Sequence, residues 1–445
     1  MNPSEPPSVD PTLGTTAASP PAHRRRAGST VVAVAVLAVV AGTALFGTGY
    51  VIGNRTATQP GTPAEDNGAF QAFWDTYAAI TEHYAGEPVP PKQVIDGAIK
   101  GMLESLGDPF SFYMTPEQFK ASLEGLSGTF EGIGATITSR KSDGTDGCTP
   151  LGPDCVLLVV KPTPGAPADK AGLKAGDRIT KVDGVTVDGA TVDDTLKKVR
   201  GPKGTVVTLT VLRSPSPTPI QIAITRDVIV EPEVESQVLG GGNVGYLKLS
   251  GFSDNATAQF KAALEAHLDA KRTKLILDLR GNPGGYIQGA QAIASQFIGS
   301  GPIYWEKAAN ADPIPTEATP GGLATSTSIQ LVVLVDGNTA SASEILAGAI
   351  QDTARGQLVG SKTYGKGTVQ EFLPLENDNG GFRLTIARWL TPKQRWINKT
   401  GLTPDVVVAA PASGAATGSD PVLDRGLQVL GAPSAMRSAA LPVAA

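Results

Sequence analysis

Apolar residues follow three different patterns along the chain. Between residues 70 and 106 they recur with a helical period, which predicts two helices, the first from Phe70 and the second over 91–106. Between residues 129 and 228 they form short strand-like runs, such as CVLLVVK and VVTLTVL, separated by Gly- and Pro-rich turns. From residue 229 onward, strands such as KLILDLR and IQLVVLVD alternate with helices, which predicts an α/β core.

A fourth pattern precedes these units. Val31–Ile52 is an uncharged stretch of 22 residues that follows Arg24, Arg25 and Arg26. As a helix it would be ~33 Å long, enough for a hydrocarbon core of ~30 Å, and the preceding arginines place the N-terminus in the cytoplasm. A cleaved signal peptide is the alternative, but its apolar region is ordinarily only ~7–15 residues long. We therefore expect an uncleaved anchor that binds the lipid bilayer through residues 31–52, with the following chain extracytoplasmic.

Composition sets the remaining boundaries. The first 22 residues are rich in Pro, Ser, Thr and Ala, and the last 35 are rich in Ala, Gly, Ser and Pro apart from a short helix within DPVLDRGLQVL. We expect seven segments: a disordered cytoplasmic tail (1–28), a transmembrane anchor (29–53), a linker (54–67), a helical N-terminal domain (68–128), the β-rich domain (129–228), the α/β core (229–410) and a flexible C-terminal tail (411–445).

Charge and composition exclude several function classes. Lys and Arg number 37 against 42 Asp and Glu, a formal net charge of −5 without a basic stripe, so nucleic acid is not an expected partner. Two cysteines and three histidines rule out a Cys-rich zinc site, and an all-His site would need almost every histidine in the chain. We expect neither a metal nor an organic cofactor.

The two cysteines lie close together in the β-rich unit. Cys148 and Cys155 fall in a Gly-, Asp- and Pro-rich insertion, and the loop between them can close. On the oxidising side of a membrane, which the anchor predicts, disulfides persist. We expect a bridge; two free thiols and a redox pair are the alternatives.

Ser341 is a candidate nucleophile. It begins a predicted helix directly after a buried strand, a position where serine is most often only a cap. The turn GNTASAS, however, is made of small residues that let a substrate backbone approach. The free amides of a helix start also favour developing negative charge.

A serine hydroxyl needs a base, and the histidines do not supply one. His23 precedes the anchor, His83 lies in the helical unit and His267 lies on an amphipathic helix, so a Ser-His-Asp triad is not expected. A lysine can act instead if burial or positive neighbours keep its amine neutral. Lys366, flanked by glycines in the uncharged loop TYGKGTVQ, is the candidate. A solvated loop lysine is the alternative.

The β-rich unit resembles a PDZ domain over about 100 residues. The stretch AGLKAGDRITKVDG carries the resemblance, together with the helix TVDDTLKKVRG. In that family a peptide C-terminus adds to a sheet edge beside a helix, with its carboxylate on the amides of a glycine loop. Arg200 ends that helix, and we interpret it either as a contact to the core that reports an occupied groove or as a solvated charge near the helix C-terminus. The resemblance assigns the carboxylate loop to Gly132, Ile133, Gly134 and Ala135.

A second resemblance covers residues 66–410. SASEILAGAIQD and GSKTYGKGTVQ look like the active-site signature of the C-terminal processing peptidases, or tail-specific proteases, which are serine peptidases with a Ser-Lys centre. DLRGNPGG, GMLESLGDPFSFY and LTIARWLTPKQRWINKTGLTPD are similar to that family in the same order. The resemblance implies an α/β peptidase core with an inserted or preceding PDZ-like domain, an N-terminal helical unit and one transmembrane helix.

The same resemblance implies the roles of individual residues. Ser341 matches the nucleophile, Lys366 the general base and Gln370 the residue that orients the lysine amine, while Asp352 matches a supporting acidic position. The oxyanion hole would combine a glycine amide of GNPGG with the amide after the nucleophile; the residues concerned are Ala342 and either Gly284 or Gly285.

The sequence therefore predicts a membrane-anchored serine endopeptidase that cleaves polypeptides with accessible C-termini through an acyl-enzyme. A homo-oligomer is left open. The competing hypothesis is a catalytically inactive PDZ scaffold or adaptor for envelope proteins, and the presence of Ser341, Lys366 and Gln370 together argues against it.

Overall fold

The computed structural model describes residues 66–409 and 420–433. The predicted tail, anchor and most of the linker (residues 1–65) lie outside the described residues. Within 66–409 and 420–433, no helix combines the length and apolarity that crossing a bilayer requires. The chain divides between Ile95 and Asp96 into two compact units.

The described residues form nine α-helices and nineteen strands. The helices are α1 Asn67–His83, α2 Pro91–Glu104, α3 Pro116–Ser127, α4 Pro167–Lys170, α5 Val192–Val199, α6 Ala256–Asp269, α7 Ile287–Ala294, α8 Ala342–Asp352 and α9 Pro421–Val429. The strands are β1 Phe112–Met114, β2 Thr129–Gly132, β3 Ala135–Lys141, β4 Cys155–Pro162, β5 Arg178–Val182, β6 Val185–Thr186, β7 Val206–Leu212, β8 Pro219–Thr225, β9 Asp227–Val230, β10 Val234–Leu239, β11 Val244–Leu249, β12 Lys274–Asp278, β13 Pro302–Ala308, β14 Ile314–Glu317, β15 Gln330–Val335, β16 Gln357–Gly360, β17 Thr368–Pro374, β18 Gly381–Leu390 and β19 Val406–Val407.

The centre of the second unit is a six-stranded sheet in the order β10-β11-β12-β15-β16-β19, parallel except at β10. Alternate residues of its strands enter different cores. Leu275 and Leu277 of β12 pack with α6, α7 and α8, whereas Ile276 packs with α9 on the opposite side. Because both faces are covered, the central strands read as uninterrupted apolar runs, as the sequence indicated.

The helix α9 corrects the predicted tail. Its apolar residues recur at helical spacing and are buried against the central sheet: Val422, Leu423, Leu427 and Leu430. The Asp420 carboxylate, just before the helix, pairs with the Arg280 guanidinium at 2.7 Å. Residues 420–433 are therefore not a flexible tail, although they lie within the segment predicted as one.

A second sheet brings the chain before the PDZ-like domain into the peptidase core. Its order is β1-β18-β13-β14, with β17 also paired to β18. β1 pairs antiparallel with β18, with Phe112 opposite Arg383. The segment 68–128 is thus not wholly helical, because its β1 pairs with a strand about 270 positions later in the chain.

The PDZ-like domain is inserted rather than simply preceding the core. Its strands form a sheet in the order β3-β4-β5-β7-β8, with β6 on β5. β2 and β9, on either side of this sheet in sequence, pair with each other and close the insertion. β3 is an edge strand, which leaves its outer hydrogen-bonding groups available to a peptide.

Cys148 and Cys155 are joined by a disulfide within this domain, with their Cα atoms 5.8 Å apart and both side chains buried. We expect the native protein to contain this bridge when it is taken from an oxidising compartment. Intact mass should rise by two hydrogens on reduction. Two alkylatable thiols in the unreduced protein would contradict this expectation.

Candidate active site

The site forms where two adjacent parallel strands end. β12 is followed by the GNPGG turn and β15 by the turn into α8, and because the strands are neighbours, the turns meet at one sheet edge. Gly284 lies against the start of α8: a β-carbon there would be 2.9 Å from Ser341 Cβ and 3.0 Å from Ala342 N. Gly284 also has φ 104°. Only glycine allows this close approach.

Ser341 is held in an unusual backbone conformation. Its φ is 57° and its ψ −119°, a region that residues with a β-carbon rarely occupy. Its backbone N–H donates to Glu344 Oε2 at 2.9 Å, and only 8 % of the residue is exposed. Such strain persists where surrounding contacts over-determine it, most often at functional sites.

Lys366 faces the same cavity, of about 820 Å³, as Ser341. Only 9 % of the residue is exposed, and its Nζ lies 5.0 Å from the centre of the Phe110 ring. Burial, helped by the positive charge of Arg383, lowers the pKa of Lys366 to about 8, against the opposing effects of Asp108 and Glu344. At pH 7 about a tenth of the amine is therefore neutral, far more than at the ordinary lysine pKa.

The glycines beside Lys366 explain how its loop is packed. A β-carbon at Gly365 would lie 2.8 Å from Gly401 N, and one at Gly367 would lie 2.8 Å from Asn398 N. The Lys366 carbonyl accepts a hydrogen bond from the buried Trp389 Nε1 at 2.9 Å. The backbone that carries the amine is thus fixed by close contacts on both sides.

Glu344 is the functional residue that the sequence analysis missed. Its carboxylate is fully buried and accepts four hydrogen bonds. The donors are Ser341 N–H at 2.9 Å, Lys366 N–H at 2.9 Å, Gly365 N–H at 2.7 Å and Thr363 Oγ1 at 2.6 Å. Burial raises the pKa of Glu344, and these four donors oppose that rise. One carboxylate therefore ties the turn of Ser341 to the loop of Lys366.

Gln370 lines the cavity, but its amide is engaged by groups other than the lysine amine. Its Oε1 accepts from Arg383 Nη2 at 3.0 Å, and its Nε2 donates to Thr368 Oγ1 at 2.7 Å and Thr385 Oγ1 at 3.1 Å. The Thr385 hydroxyl in turn donates to the Asp108 carboxylate at 2.6 Å. In this arrangement Gln370 orders the cavity wall and does not hydrogen-bond Lys366, unlike the role that the resemblance implied.

Asp352 lies at the far end of α8, where its side chain hydrogen-bonds to the loop that follows β18. Its carboxylate accepts from the Lys393 backbone N–H at 2.9 Å and from the Arg395 guanidinium. These bonds fasten the end of α8 to the loop after β18. The supporting role that the resemblance implies for Asp352 remains a prediction.

Two backbone amides near Ser341 lack an internal acceptor. Among the described residues, neither Ala342 N–H nor Gly285 N–H donates a hydrogen bond. Gly284 N–H, in contrast, donates to Asn282 Oδ1 at 2.9 Å. Of the two glycines proposed for the oxyanion hole, the geometry therefore favours Gly285 as the donor and leaves Gly284 as the residue that permits the close approach.

The predicted carboxylate loop of the PDZ-like domain also offers free amides. Among the described residues, Ile133 N–H and Gly134 N–H donate no hydrogen bond. Gly132 ends β2 and Ala135 begins β3, so the loop leads directly into the free sheet edge. Arg200, at the end of α5, places its guanidinium 5.5 Å from the Phe130 ring centre.

The described histidines stand outside this site. His267 is fully buried, lies within 3.0 Å of Ser236 Oγ through its Nε2, and has its pKa lowered by burial to about 4. His83 is exposed on α1. Neither faces the cavity of Ser341 and Lys366.

Comparison with known families agrees with this geometry. Residues 243–408 match peptidase family S41, residues 158–213 match a PDZ domain, and residues 42–118 match the activating protease CtpB N-terminal domain. The fold and site are therefore those of a serine peptidase that carries a PDZ domain.

Individual relatives narrow the class. A carboxy-terminal-processing protease of Bartonella bacilliformis is 36 % identical over 76 % of this chain and 75 % of that protein. Carboxy-terminal processing protease CtpA of Bacillus subtilis is 35 % identical over 81 % of this chain and 74 % of that protein. A solved photosystem II D1 C-terminal processing protease is 28 % identical, covers 78 % of this chain and 94 % of its own, and gives a TM-score of 0.43. The chain belongs to peptidase family S41, together with the carboxy-terminal processing proteases.

Proposed function

We propose that this protein is a membrane-anchored, extracytoplasmic endopeptidase that cleaves polypeptides whose C-terminal tails bind its PDZ domain, with Ser341 as nucleophile and Lys366 as general base. One observation carries the proposal. Ser341 and a lysine with a pKa lowered to about 8 face one cavity. The free amides belong to Ala342, which directly follows Ser341, and to Gly285, which lines the same cavity.

The proposed reaction uses only groups of this chain and water. The neutral Lys366 amine takes the proton of Ser341 Oγ as that oxygen attacks the scissile carbonyl carbon. The amides of Ala342 and Gly285 stabilise the resulting oxyanion, and one such donor is worth ~3–4 kcal/mol. The C–N bond then breaks as the lysine ammonium returns its proton to the leaving amine. Water, activated by the same lysine, hydrolyses the acyl-enzyme.

We expect kcat/KM to rise with pH through an inflection near the Lys366 pKa of about 8. Only the neutral amine is a base, so activity is lost as pH falls below that pKa and is fully present above it. The measurement is kcat/KM for one peptide across a pH series in which the fold is intact. A flat or falling profile through this range would overturn the assignment.

Variants of two charged neighbours of Lys366 test the source of this inflection, because they should move it in opposite directions. Arg383 lowers the Lys366 pKa and Asp108 raises it. Arg383→Met should therefore move the inflection to higher pH, and Asp108→Asn should move it to lower pH. Inflections that coincide in all three proteins would show that another group titrates.

We expect the PDZ domain to read a free C-terminal carboxylate. The amides of Ile133 and Gly134 suit such a group, so amidating a long substrate should lower kcat/KM, while a short peptide that binds only the catalytic cavity should lose less. Amidation is a cleaner probe than a bulky residue at Gly134, where a β-carbon would lie 2.4 Å from Ala166 Cβ. Equal cleavage of the acid and amide forms below saturation would contradict this prediction.

The same pair of substrates tests the adaptor hypothesis. An adaptor would bind the free-acid peptide more tightly than the amide and cleave neither. A peptidase cleaves the free acid, and its Ser341→Ala variant binds the peptide without cleaving it.

The proposed extracytoplasmic location rests on the uncharged stretch 31–52. The disulfide measurement bears on this location, because such bridges persist outside the cytoplasm.

A further inference from the structure

A second cavity, of about 710 Å³, lies between the PDZ domain and the peptidase core. Its PDZ end is lined by the carboxylate loop and α5. Its core end is lined by the acidic hinge, which we define as Glu231 and Glu233, the two acidic residues between β9 and β10. This cavity shares Gly284 and Gly285 with the catalytic cavity. A peptide that leaves the PDZ groove for Ser341 therefore passes the acidic hinge.

The backbone of Glu233 is fixed on both sides. Its N–H donates to Gln259 Oε1 at 2.8 Å, and its carbonyl accepts from Ser250 N–H at 2.9 Å. The side chain extends over Gly251, where a β-carbon would lie 2.7 Å from Glu233 Oε2. The carboxylate thus has a defined place in the cavity wall, and any side chain at position 251 would displace it.

The Glu233 carboxylate lacks a cationic partner. Across residues 66–409 and 420–433, it takes part in none of the ion pairs. Burial raises the pKa of Glu233, and the negative charge of Glu231 raises it further. A half-buried, unpaired carboxylate is costly, and a ligand that supplies a positive charge removes that cost.

Ser253 provides a second observation, which is geometric, in the wall of the same cavity. Only 5 % of this residue is exposed, it lines the same cavity, and in the described part of the chain its Oγ forms no hydrogen bond of normal geometry. It lies near enough to Glu233 to favour the charged carboxylate. Buried hydroxyls are nearly always bonded, so a ligand group that reaches both the Ser253 hydroxyl and the Glu233 carboxylate would satisfy this one.

The charges of the cavity give that ligand a direction. Lys161 and Arg200 line the cavity on the PDZ side, where the substrate carboxylate is proposed to bind, and the acidic hinge lines the core side. We propose that Glu233 and Ser253 form a specificity-determining subsite for a lysine or arginine side chain of the substrate, upstream of its C-terminal carboxylate. This inference rests on the proposed function. A substrate ammonium or guanidinium donates to both the carboxylate and the hydroxyl oxygen.

Binding to the full-length Ser341→Ala variant tests this subsite without requiring cleavage. The probes are fluorescent free-acid peptides of one neutral sequence in which a single lysine, or its uncharged analogue norleucine, is moved stepwise away from the C-terminus. We expect about tenfold tighter binding for lysine than for norleucine at one or two adjacent positions. Adding Glu233→Gln should reduce this ratio to less than about twofold. Glu235→Gln, an exposed carboxylate paired with Lys248, should keep it.

Reversing the charge of residue 233 provides a second test in the same binding experiment. Glu233→Lys should make a glutamate, at the positions where lysine was favoured, bind more tightly than norleucine. Circular dichroism and the affinity for the all-neutral peptide show whether each variant is folded. The proposal is overturned if folded Glu233→Gln and Glu233→Lys proteins keep the original lysine preference, or if no position shows one. If the lysine preference is found but the protein with Ser341 intact cleaves none of the peptides, the proposed function fails and the subsite stands.

Discussion

Replacing Lys366 by alanine should lower kcat/KM for peptide cleavage by about 10³-fold or more while the protein stays folded. The amine lies in the wall of the cavity that Ser341 also lines, and its pKa is lowered to about 8. Ser341→Ala should cause a similar loss. Because both residues act in one step, the double variant should be no worse than the poorer single variant.

A matched lysine separates this effect from a general loss of charge. Lys362 lies in the same loop but is exposed, so Lys362→Ala should leave kcat/KM nearly unchanged. Near-normal turnover by Lys366→Ala would refute the Ser-Lys assignment. A multiplicative loss in the double variant would show that the two residues act in separate steps.

Replacing Glu344 by glutamine should damage both activity and stability. All four partners of the carboxylate are donors, so the amide group of glutamine must face at least one N–H or O–H with an N–H of its own. We expect a loss of about 3 kcal/mol or more in the free energy of unfolding. Since the turn of Ser341 and the loop of Lys366 are no longer tied together, kcat should fall by about 10²-fold in the fraction that remains folded.

Denaturant unfolding and active-site titration separate the two consequences. Glu265→Gln, on the exposed side of α6, is the control and should change neither quantity. If Glu344→Gln lowers stability but each folded molecule retains full kcat, the carboxylate supports the fold and does not position the catalytic groups. An unchanged free energy of unfolding would contradict the hydrogen-bonding scheme itself.

The catalytic turns could be predicted because local patterns place them. Apolar runs identify β12 and β15, and once these strands are neighbours in a parallel sheet, Gly285 and Ser341 must lie at one edge. The glycines on either side of Lys366 likewise indicate that other backbone segments pack closely against its loop. The low pKa of Lys366 follows from burial and from the positive charge of Arg383. From the sequence alone, burial or a positive neighbour is only a requirement of the chemistry, and the cation that meets it has no local signal.

Glu344 escaped prediction because its local signal has a simpler explanation. The segment SASE reads as a helix start with an acidic third residue, which ordinarily caps only its own helix. Its other partners, Thr363, Gly365 and Lys366, lie about twenty residues away, beyond the reach of a local pattern. The burial of α9 was missed for a related reason, since a short amphipathic helix in an Ala- and Gly-rich segment does not reveal which surface it covers.

The identity of the amide donors was also beyond the sequence. GNPGG offers two consecutive glycines, and only the bond from Gly284 N–H to Asn282 Oδ1 distinguishes them. In the same way, the resemblance assigns Gln370 to the lysine amine, whereas its bonds to Arg383 and Thr385 depend on strand β18 pairing with β17. Tertiary pairing, not local pattern, decides both.

Reaction of the full-length protein with a fluorophosphonate tests the central claim most directly. Ser341 Oγ should attack phosphorus and expel fluoride, and peptide mapping should find the phosphonyl group on Ser341. The rate should rise with pH through about 8, as the Lys366 pKa requires, and should collapse in Lys366→Ala but not in Lys362→Ala. A phosphonyl group on another residue of a protein that cleaves peptides, or a labelling rate unaffected by Lys366→Ala, would contradict the account.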